Sequence, residues 1–208
     1  GMAPPDLLLP EPGELHGAQR LDAMVRALVT ALVQSNPDAV VVFGDTDSTL
    51  AGALAAQDRS AAIVHVEAGV RSGDLTMPEE RNRIAVDKIA SLRLCTSDAA
   101  VAALCDEGLA EGNLVVGDLM ADLVARLAPT ARSATALDSA AVHIGRPLVA
   151  GGYAYATLHR ADVREAGQLR SALEVLRTSG EHLALPVLFA AHPGTSAAIA
   201  AHGIDVPD

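Results

Sequence analysis

Residues 39–66 read AVVVFGDTDSTLAGALAAQDRSAAIVHV, an apolar run, an alanine-rich stretch and a second apolar run in immediate succession. The pattern predicts a strand at 39–43, a helix at 48–57 and a strand at 61–66, because both apolar runs are short and rich in β-branched residues. A strand, a helix and a strand in this order form a βαβ unit with parallel strands. The segment therefore indicates an α/β fold.

The same alternation continues along the chain. Further helices are predicted at 15–34, 79–90, 98–107, 119–127, 165–178 and 196–201, and further strands at 92–95, 113–116, 153–157 and 186–190. Residues 128–148 lose the periodicity and collect Pro, Ser, Thr and Gly, which favours a linker or crossover. We expect a parallel sheet with flanking helices in residues 1–127. Residues 149–208 would begin a second such unit, because two strands alone cannot bury both faces of a parallel sheet.

Composition narrows the class of protein. The formal net charge is -11, whereas general nucleic-acid binding needs a basic surface. An anionic ligand would have to meet a local group of arginines or a helix N-terminus. Cys95 and Cys105 are the only cysteines, and they lack a metal-binding spacing. With no apolar run of about 18 residues and no signal peptide, the sequence predicts a soluble, cytoplasmic protein that binds neither membrane nor metal.

The most charged stretch is HVEAGVRSGDLTMPEERNR at residues 65–83, which follows the second strand and leads into a helix. Open α/β sheets bind ligands at the carboxyl ends of their strands, so we expect this stretch to line a functional site. A surface loop would also be charged, but it would rarely follow a buried strand with His65 and Glu67 at alternate positions. Glu79 and Arg83 share a helix face, which a surface ion pair explains equally well.

Three other predicted strands also end in polar motifs. The motif GDT at residues 44–46 follows the first strand, although the motif alone favours Asp45 or Asp47 as a helix N-cap. The motifs TLHR at residues 157–160 and HPG at residues 192–194 follow two later strands. Histidine and arginine at a strand end are typical of phosphate recognition.

In this order, the motifs GDT, HVEAGVRSGD, MPEERNR, TLHRAD and HPGT resemble the non-hydrolysing UDP-N-acetylglucosamine 2-epimerase family. The stretches LPEPGELHGAQ (9–19) and VVGDLMADLV (115–124) are also similar to members of that family. The resemblance implies two Rossmann-like halves of the glycosyltransferase-B type, with the nucleotide sugar in the cleft between them. It further implies interconversion of UDP-N-acetylglucosamine and UDP-N-acetylmannosamine by elimination and re-addition of UDP, without a cofactor.

The resemblance also implies roles for individual residues. The catalytic carboxylates would be Asp45, Glu67 and Glu79. Arg83 and His159 match two further residues tied to activity, with His159 near the diphosphate. The residues expected to bind the substrate are His65, Arg71, Arg160 and His192. Removal of the proton from C2 needs a base, and its return on the other face needs an acid. Which carboxylate fills which role stays open.

The sequence departs from the family pattern in several places. Val163 stands where the family usually has Asn, Gly194 stands where Arg or Asn is common, and Asp118 stands where Asn is usual. We also expect the first half to lack its usual opening strands with their basic loop. The second half would lack the segment that holds the ribose and diphosphate.

These departures leave three hypotheses. In the first, the protein is an epimerase that is completed by a longer gene, by a homodimer or by a complementing polypeptide. In the second, it is a non-catalytic or partner-dependent remnant of the family that acts as a binding or interaction module. A related glycosyltransferase-like enzyme is the third, which the carboxylate-rich motifs at residues 65–83 disfavour.

Overall fold

Strands and helices alternate along the chain in the computed structural model, which describes residues 4–10, 12–13, 15–158 and 165–206. The chain divides into two units, Gly1–Leu123 and Val124–Asp208. The first unit contains α1 (Gly17–Ser35), β1 (Ala39–Phe43), α2 (Asp47–Asp58), β2 (Ala62–Ala68), α3 (Pro78–Ile89), β3 (Leu92–Cys95), α4 (Asp98–Asp106) and β4 (Asn113–Val115). Helix α5 (Leu119–Ala131) runs into the second unit, which continues with α6 (Ala134–Ile144), β5 (Ala154–Leu158), α7 (Ala166–Leu183), β6 (Val187–Ala191) and α8 (Pro193–Ala201).

The strands of the first unit form one parallel sheet in the order β1-β2-β3-β4. Val42 of β1 pairs with His65 of β2, which pairs in turn with Arg93 of β3. Parallel strands end at the same edge of a sheet, so the residues that follow β1 and β2 come together there. The parallel sheet with flanking helices that the alternation predicts is confirmed.

Small residues let helix α2 lie close to the sheet. Ala53 and Ala56 of α2 are fully buried, and they join a hydrophobic cluster with residues of β1, β2 and α3: Val42, Ile63 and Val86. A methyl group at Gly52 would lie 3.0 Å from Val42 Cγ1, which leaves little room for a larger residue. A chain with only 2% aromatic residues thus builds its core by close approach of backbones.

Helix α4 packs closely beside the end of β2. A methyl group at Gly69 would lie 2.4 Å from the backbone oxygen of Ala100, and the Gly69 φ angle is +77°. Both features require glycine at this position. A second hydrophobic cluster, formed by Ala68, Cys95, Ala100 and Leu104, lies at this contact.

The second unit contains a two-stranded parallel sheet, formed by β5 and β6. The hydroxyl group of Thr195, a buried residue of α8, donates to the backbone oxygen of Leu158 at the end of β5. Leu169 of α7 is fully buried, and it is the only buried hydrophobic residue in the described part of this unit. Two strands and their helices therefore bury far less apolar surface here than the first unit does.

The segment 128–148 is more regular than its sequence predicts. Helix α5 extends to Ala131, and α6 occupies most of the remainder. The Ser133 side chain caps α6 by accepting from the backbone N–H of Ala136, and Gly145 ends the helix with a φ angle of +76°. A capped, alanine-rich helix thus occupies much of the segment that the sequence indicates as a linker or crossover. The boundaries of the two predicted halves stay predictions.

Most other element bounds agree with the sequence pattern to within a few residues. Ser97 caps α4, since its hydroxyl oxygen accepts from the backbone N–H of Ala100. Helix α8 begins earlier than expected, at Pro193, because proline is favoured in the first helical turn and His192 caps the helix. Within the described ranges, no helix has both the length and the apolar character that a membrane crossing requires.

Candidate active site

Arg83 of α3 joins the residues that follow the first two strands. Its Nη1 atom lies 2.7 Å from Asp45 Oδ2, and its Nη2 atom lies 3.8 Å from Glu67 Oε2. Its Nε–H also donates to the backbone oxygen of Glu67 at 3.1 Å. The Arg83 side chain is only 10% exposed, whereas those of Asp45 and Glu67 are 26% and 32% exposed. One nearly buried guanidinium thus holds two predicted catalytic carboxylates that a ligand can still reach.

Glu67 has an unusual backbone conformation. Its φ angle is +64°, in the left-handed region that residues other than glycine rarely adopt. Val66 pairs with Leu94 and Ala68 pairs with Cys95, so Glu67 is the extra residue of a β-bulge. Such a backbone costs about 1–3 kcal/mol and persists only where its surroundings enforce it. Bulges and strained residues are both common beside active sites.

Asn82 fixes the loop that carries Asp45. Its Nδ2 group donates to the backbone oxygen of Asp45 at 3.0 Å and to Asp47 Oδ1 at 3.2 Å. Helix α2 has Thr46 as its N-cap residue. The N-cap role that the motif alone favours for Asp45 or Asp47 is therefore wrong. The Asp45 side chain is ion-paired instead, because α3 brings Arg83 within its reach.

His65 connects the same loop to helix α3. Its Nε2 atom lies 2.8 Å from the backbone oxygen of Gly44, and its Nδ1 atom lies 2.7 Å from Asp87 Oδ1. A carbonyl oxygen only accepts, so Nε2 must carry a proton. The ring is fully buried. His65 therefore holds parts of the site in place and presents no surface to a substrate, contrary to the binding role expected for it.

Asp87 is fully buried, and its carboxylate has three partners. Besides His65, its carboxylate accepts from the backbone N–H of Gly69 at 3.1 Å and lies 2.8 Å from Arg71 Nη1. Arg71 also binds both carboxylate oxygens of Glu107, at 2.7 and 2.9 Å. Burial raises the pKa of Asp87, but the contacts with His65 and Arg71 outweigh it and hold that pKa below its ordinary value.

Most of the hydrogen-bonding capacity of Arg71 is taken up by Asp87 and Glu107. Its side chain is 13% exposed, and burial, which lowers its pKa, is outweighed by Glu107 and Asp87, which raise it. The guanidinium group is therefore fixed as a cation between two acidic residues. Its expected role in binding substrate stays a prediction.

Glu80 braces the loop between β2 and α3. Its two carboxylate oxygens accept from the backbone N–H groups of Ser72 at 2.9 Å and Gly73 at 3.0 Å. Burial raises the pKa of Glu80, but these donors lower it more, so the net shift is downwards. Glu79, the neighbouring predicted catalytic residue, is exposed in the first turn of α3.

Glu79 does not pair with Arg83, although the two residues share a helix face. Among the described residues it has no hydrogen bond or ion pair, since Arg83 turns towards Asp45 and Glu67 instead. The surface ion pair that its spacing allowed is therefore not formed. The catalytic role of Glu79 stays a prediction.

The remaining predicted residues belong to the second unit. His159 and Arg160 lie outside the described residues. His192 is the N-cap residue of α8, where its Nδ1 atom accepts from the backbone N–H of Gly194 at 3.2 Å. Its expected contact with substrate stays a prediction.

Helix α3 supplies three residues to which the sequence motifs gave no role: Glu80, Asn82 and Asp87. The signal was present, because Glu80, Arg83 and Asp87 recur at helical spacing and so share one face. Polar residues on a buried helix face need partners. Their partners are backbone groups and residues distant in sequence, which a one-dimensional pattern does not identify.

The chemistry available here is that of carboxylates beside a cation. A partly exposed carboxylate can take a proton from a bound ligand, and an arginine stabilises negative charge that develops nearby. The described residues include no group of histidine, cysteine, aspartate and glutamate side chains that could hold a metal ion. The site is thus suited to proton transfer on an anionic ligand.

Comparisons with known proteins show the family to which the chain belongs. The family model described as UDP-N-acetylglucosamine 2-epimerase matches residues 1–206. The chain is 36% identical over 208 residues to a UDP-2,3-diacetamido-2,3-dideoxy-D-glucuronate 2-epimerase of Pseudomonas aeruginosa, covering 98% of this chain and 55% of that protein. It is 33% identical over 182 residues to the UDP-N-acetylglucosamine 2-epimerase of Methanocaldococcus jannaschii, covering 86% of this chain and 49% of that protein.

Solved structures give the same result. The M. jannaschii UDP-GlcNAc 2-epimerase in complex with UDP-GlcNAc and UDP is similar with a TM-score of 0.81 at 29% identity, over 93% of this chain and 52% of that one. The Rickettsia bellii UDP-N-acetylglucosamine 2-epimerase is similar with a TM-score of 0.79 at 27% identity, over 96% and 51%. The Rossmann-like α/β fold of the glycosyltransferase-B type is confirmed, and the chain spans about half the length of these relatives. The chain belongs to the UDP-N-acetylglucosamine 2-epimerase family.

Proposed function

We propose that this chain provides catalytic residues for inversion at C2 of a UDP-linked 2-acetamido sugar. The observation that carries the proposal is the contact of one nearly buried guanidinium, that of Arg83, with the accessible carboxylates of Asp45 and Glu67. Inversion needs one group that removes the C2 proton and another that returns a proton on the opposite face. Two carboxylates that converge on one site meet this need.

The proposed reaction begins when UDP leaves C1 as a proton leaves C2, which gives a 2-acetamidoglucal intermediate. UDP then returns to C1, and C2 takes a proton on the opposite face, so no atom is gained or lost. Asp45, Glu67 and the exposed Glu79 are the candidate acid and base. The departing diphosphate needs positive charge. We propose that the predicted basic residues supply it: Arg71, His159, Arg160 and His192.

The relatives support the proposed substrate class. The M. jannaschii relative is a UDP-N-acetylglucosamine 2-epimerase, and the P. aeruginosa relative is a UDP-2,3-diacetamido-2,3-dideoxy-D-glucuronate 2-epimerase. Both names describe UDP sugars that carry an acetamido group at C2. We propose UDP-N-acetylglucosamine as the substrate and UDP-N-acetylmannosamine as the product. UDP-2,3-diacetamido-2,3-dideoxy-D-glucuronate is the second sugar to test in the same assay.

We further propose that the chain works in the cytoplasm as a homodimer or with a complementing polypeptide. Large apolar side chains lie more than half exposed on β1, β4 and α5, among them Val41, Phe43, Val115 and Met120. Exposed apolar surface of this extent is typical of interfaces. Both cysteines are free, which supports a reducing compartment. Analytical ultracentrifugation tests the assembly, and a monomer at every concentration would contradict the homodimer.

Incubation with UDP-N-acetylglucosamine in deuterated water tests the reaction. We expect deuterium at C2 and the appearance of UDP-N-acetylmannosamine, both detectable by NMR. Parallel calorimetry with UDP measures binding. Binding without exchange would favour the alternative function, a non-catalytic or partner-dependent binding module. If the chain shows no exchange and does not bind UDP, the result contradicts the proposal for this polypeptide.

A further inference from the structure

Asp87 contacts the side chain of a residue before Glu67 and the backbone of a residue after it. His65 lies two residues before Glu67 and Gly69 lies two residues after it. One oxygen of Asp87 lies 2.7 Å from His65 Nδ1, and the other accepts from the backbone N–H of Gly69 at 3.1 Å. The Asp87 carboxylate therefore links the residues on either side of Glu67, whose φ angle is +64°.

His65 connects this group of contacts to the loop that carries Asp45. The His65 Nε2–H group donates to the backbone oxygen of Gly44 at 2.8 Å, and the Gly44 N–H donates to the backbone oxygen of Val66 at 3.0 Å. A methyl group at Gly44 would lie 3.6 Å from Glu67 Oε2, so the loop runs directly beside that carboxylate. Through His65, Asp87 thus restrains the ends of β1 and β2 together.

The geometry points to Asp87 as a positioning residue that holds Asp45 and Glu67 in the arrangement that Arg83 binds. The inference deepens the proposed function, on which it rests. Asp87 has no exposed surface, so it acts through His65 and the backbone of Gly69. A strained backbone relaxes when the contacts that enforce it are removed. Loss of the Asp87 acceptor should therefore release the bulge at Glu67.

Asparagine can replace the aspartate in this role. Its oxygen can accept from Gly69 and Arg71, and its amide group can donate to His65 Nδ1 when the neutral ring carries its proton on Nε2. Alanine makes none of these contacts. Because the Asp87→Ala variant would also leave Arg71 without one of its anions, the informative comparison is made in an Arg71→Ala background. Arg71 contacts Asp87 but neither Gly44 nor Glu67, which makes Arg71→Ala the control for the structural measurement. The catalytic comparison uses the single Asp87 variants, because Arg71 is itself a proposed diphosphate-binding residue.

NMR of the labelled chain tests the positioning directly. In wild type, R71A and R71A/D87N, we expect a positive φ at Glu67 and a slowly exchanging Gly69 amide. In R71A/D87A, we expect a negative φ at Glu67 and Gly69 exchange that is about tenfold faster or more. A folded R71A/D87A protein that keeps the positive φ would overturn the inference. If that protein does not fold, the single D87N variant decides, and loss of the positive φ there would overturn it.

Catalysis gives the second readout, which a purely stabilising residue would not change. We expect D87A to exchange the C2 proton with a kcat about tenfold lower than wild type at a similar KM, and D87N to keep most of the wild-type kcat. Equal kcat values for D87A and wild type would contradict a positioning role in the reaction. If the wild-type chain exchanges no C2 proton, the proposed function fails, whereas the Glu67 φ angle still decides the role of Asp87.

Discussion

Arg83 is the residue on which the charge balance of the candidate site depends. It is nearly buried, it is ion-paired to Asp45, and it contacts Glu67 through both the side chain and the backbone oxygen. Without the guanidinium group, two carboxylates would lose their shared cation, and the strained Glu67 backbone would lose a donor. Removal of the Arg83 guanidinium should therefore lower the rate of catalysis by changing the geometry of the site as well as its charge.

We predict that Arg83→Gln lowers the rate of C2 proton exchange by about a hundredfold or more, because one preorganised charged group is removed. The measurement is deuterium incorporation from deuterated water. Arg81→Gln is the matched control, since Arg81 lies exposed on the same helix. Similar rates in the two variants would contradict the role of Arg83.

Gly69→Ala tests the close approach of α4. We expect it to lower the free energy of unfolding by about 3 kcal/mol, because the new methyl group adds a clash to a left-handed backbone. The measurement is urea denaturation at neutral pH. Gly73→Ala is the control, since its φ angle is also +77° but nothing lies within 4 Å of the new methyl group. A loss no larger than that of the control would contradict the packing.

Helix α3 is the element that organises the site. Its buried residues include Glu80, Arg83 and Asp87 as well as the apolar Val86. The three charged residues bind the loop before the helix, the loop after β1 and the bulge at the end of β2. A helix with so many buried charges is stable only because each charge has a partner.

The pH dependence of stability tests one of those partners. The pKa of Glu80 is lowered in the folded protein, so its stabilising effect is fully present above its ordinary value and is lost as the pH falls through the lowered value. We predict that Glu80→Gln costs about 1–3 kcal/mol of unfolding free energy at neutral pH. The difference from wild type should shrink as the pH falls below about 4.

Urea denaturation at a series of pH values measures this effect. Glu79→Gln is the control, because Glu79 is exposed and should change the unfolding free energy little. A Glu80→Gln difference that stays constant with pH would show that the ionised carboxylate does not brace the loop.

At the scale of the whole molecule, the two units differ in how much of their apolar surface is buried. The first has a four-stranded sheet and two buried hydrophobic clusters. The second has a two-stranded sheet, and a parallel sheet of that size cannot bury both its faces alone. Local opening should therefore cost less free energy in the second unit.

Amide hydrogen exchange followed by mass spectrometry tests this difference. We predict that amides of β5 and β6 exchange about tenfold faster or more than those of β2 and β3 under native conditions. The four strands lie in one sample, so each measurement contains its own reference. Equal protection of the two sheets would mean that a second copy or a ligand covers the second unit.

Much of the fold was predictable because it depends on local patterns. Apolar runs such as 39–43 and 61–66, separated by an alanine-rich stretch, predict parallel strands without knowledge of distant contacts. The motifs at the strand ends also placed Asp45, Glu67 and Arg83 in one site. Helix α6 was not predicted, because Pro129, Ser133 and Gly145 around it favour a linker or crossover. Leu137, Ala141 and Ile144 nevertheless recur at helical spacing within it.

The sequence by itself determined the alternation of strands and helices, the family, and which strand ends carry charged residues. Only the tertiary structure decided what those residues do to one another. It showed that Arg83 binds Asp45 rather than Glu79, that His65 is buried, and that Asp87 brackets Glu67. The physical reason is that propensity and periodicity act over a few neighbouring residues, whereas hydrogen bonds and ion pairs join residues that only the packing of α3 on the sheet brings together.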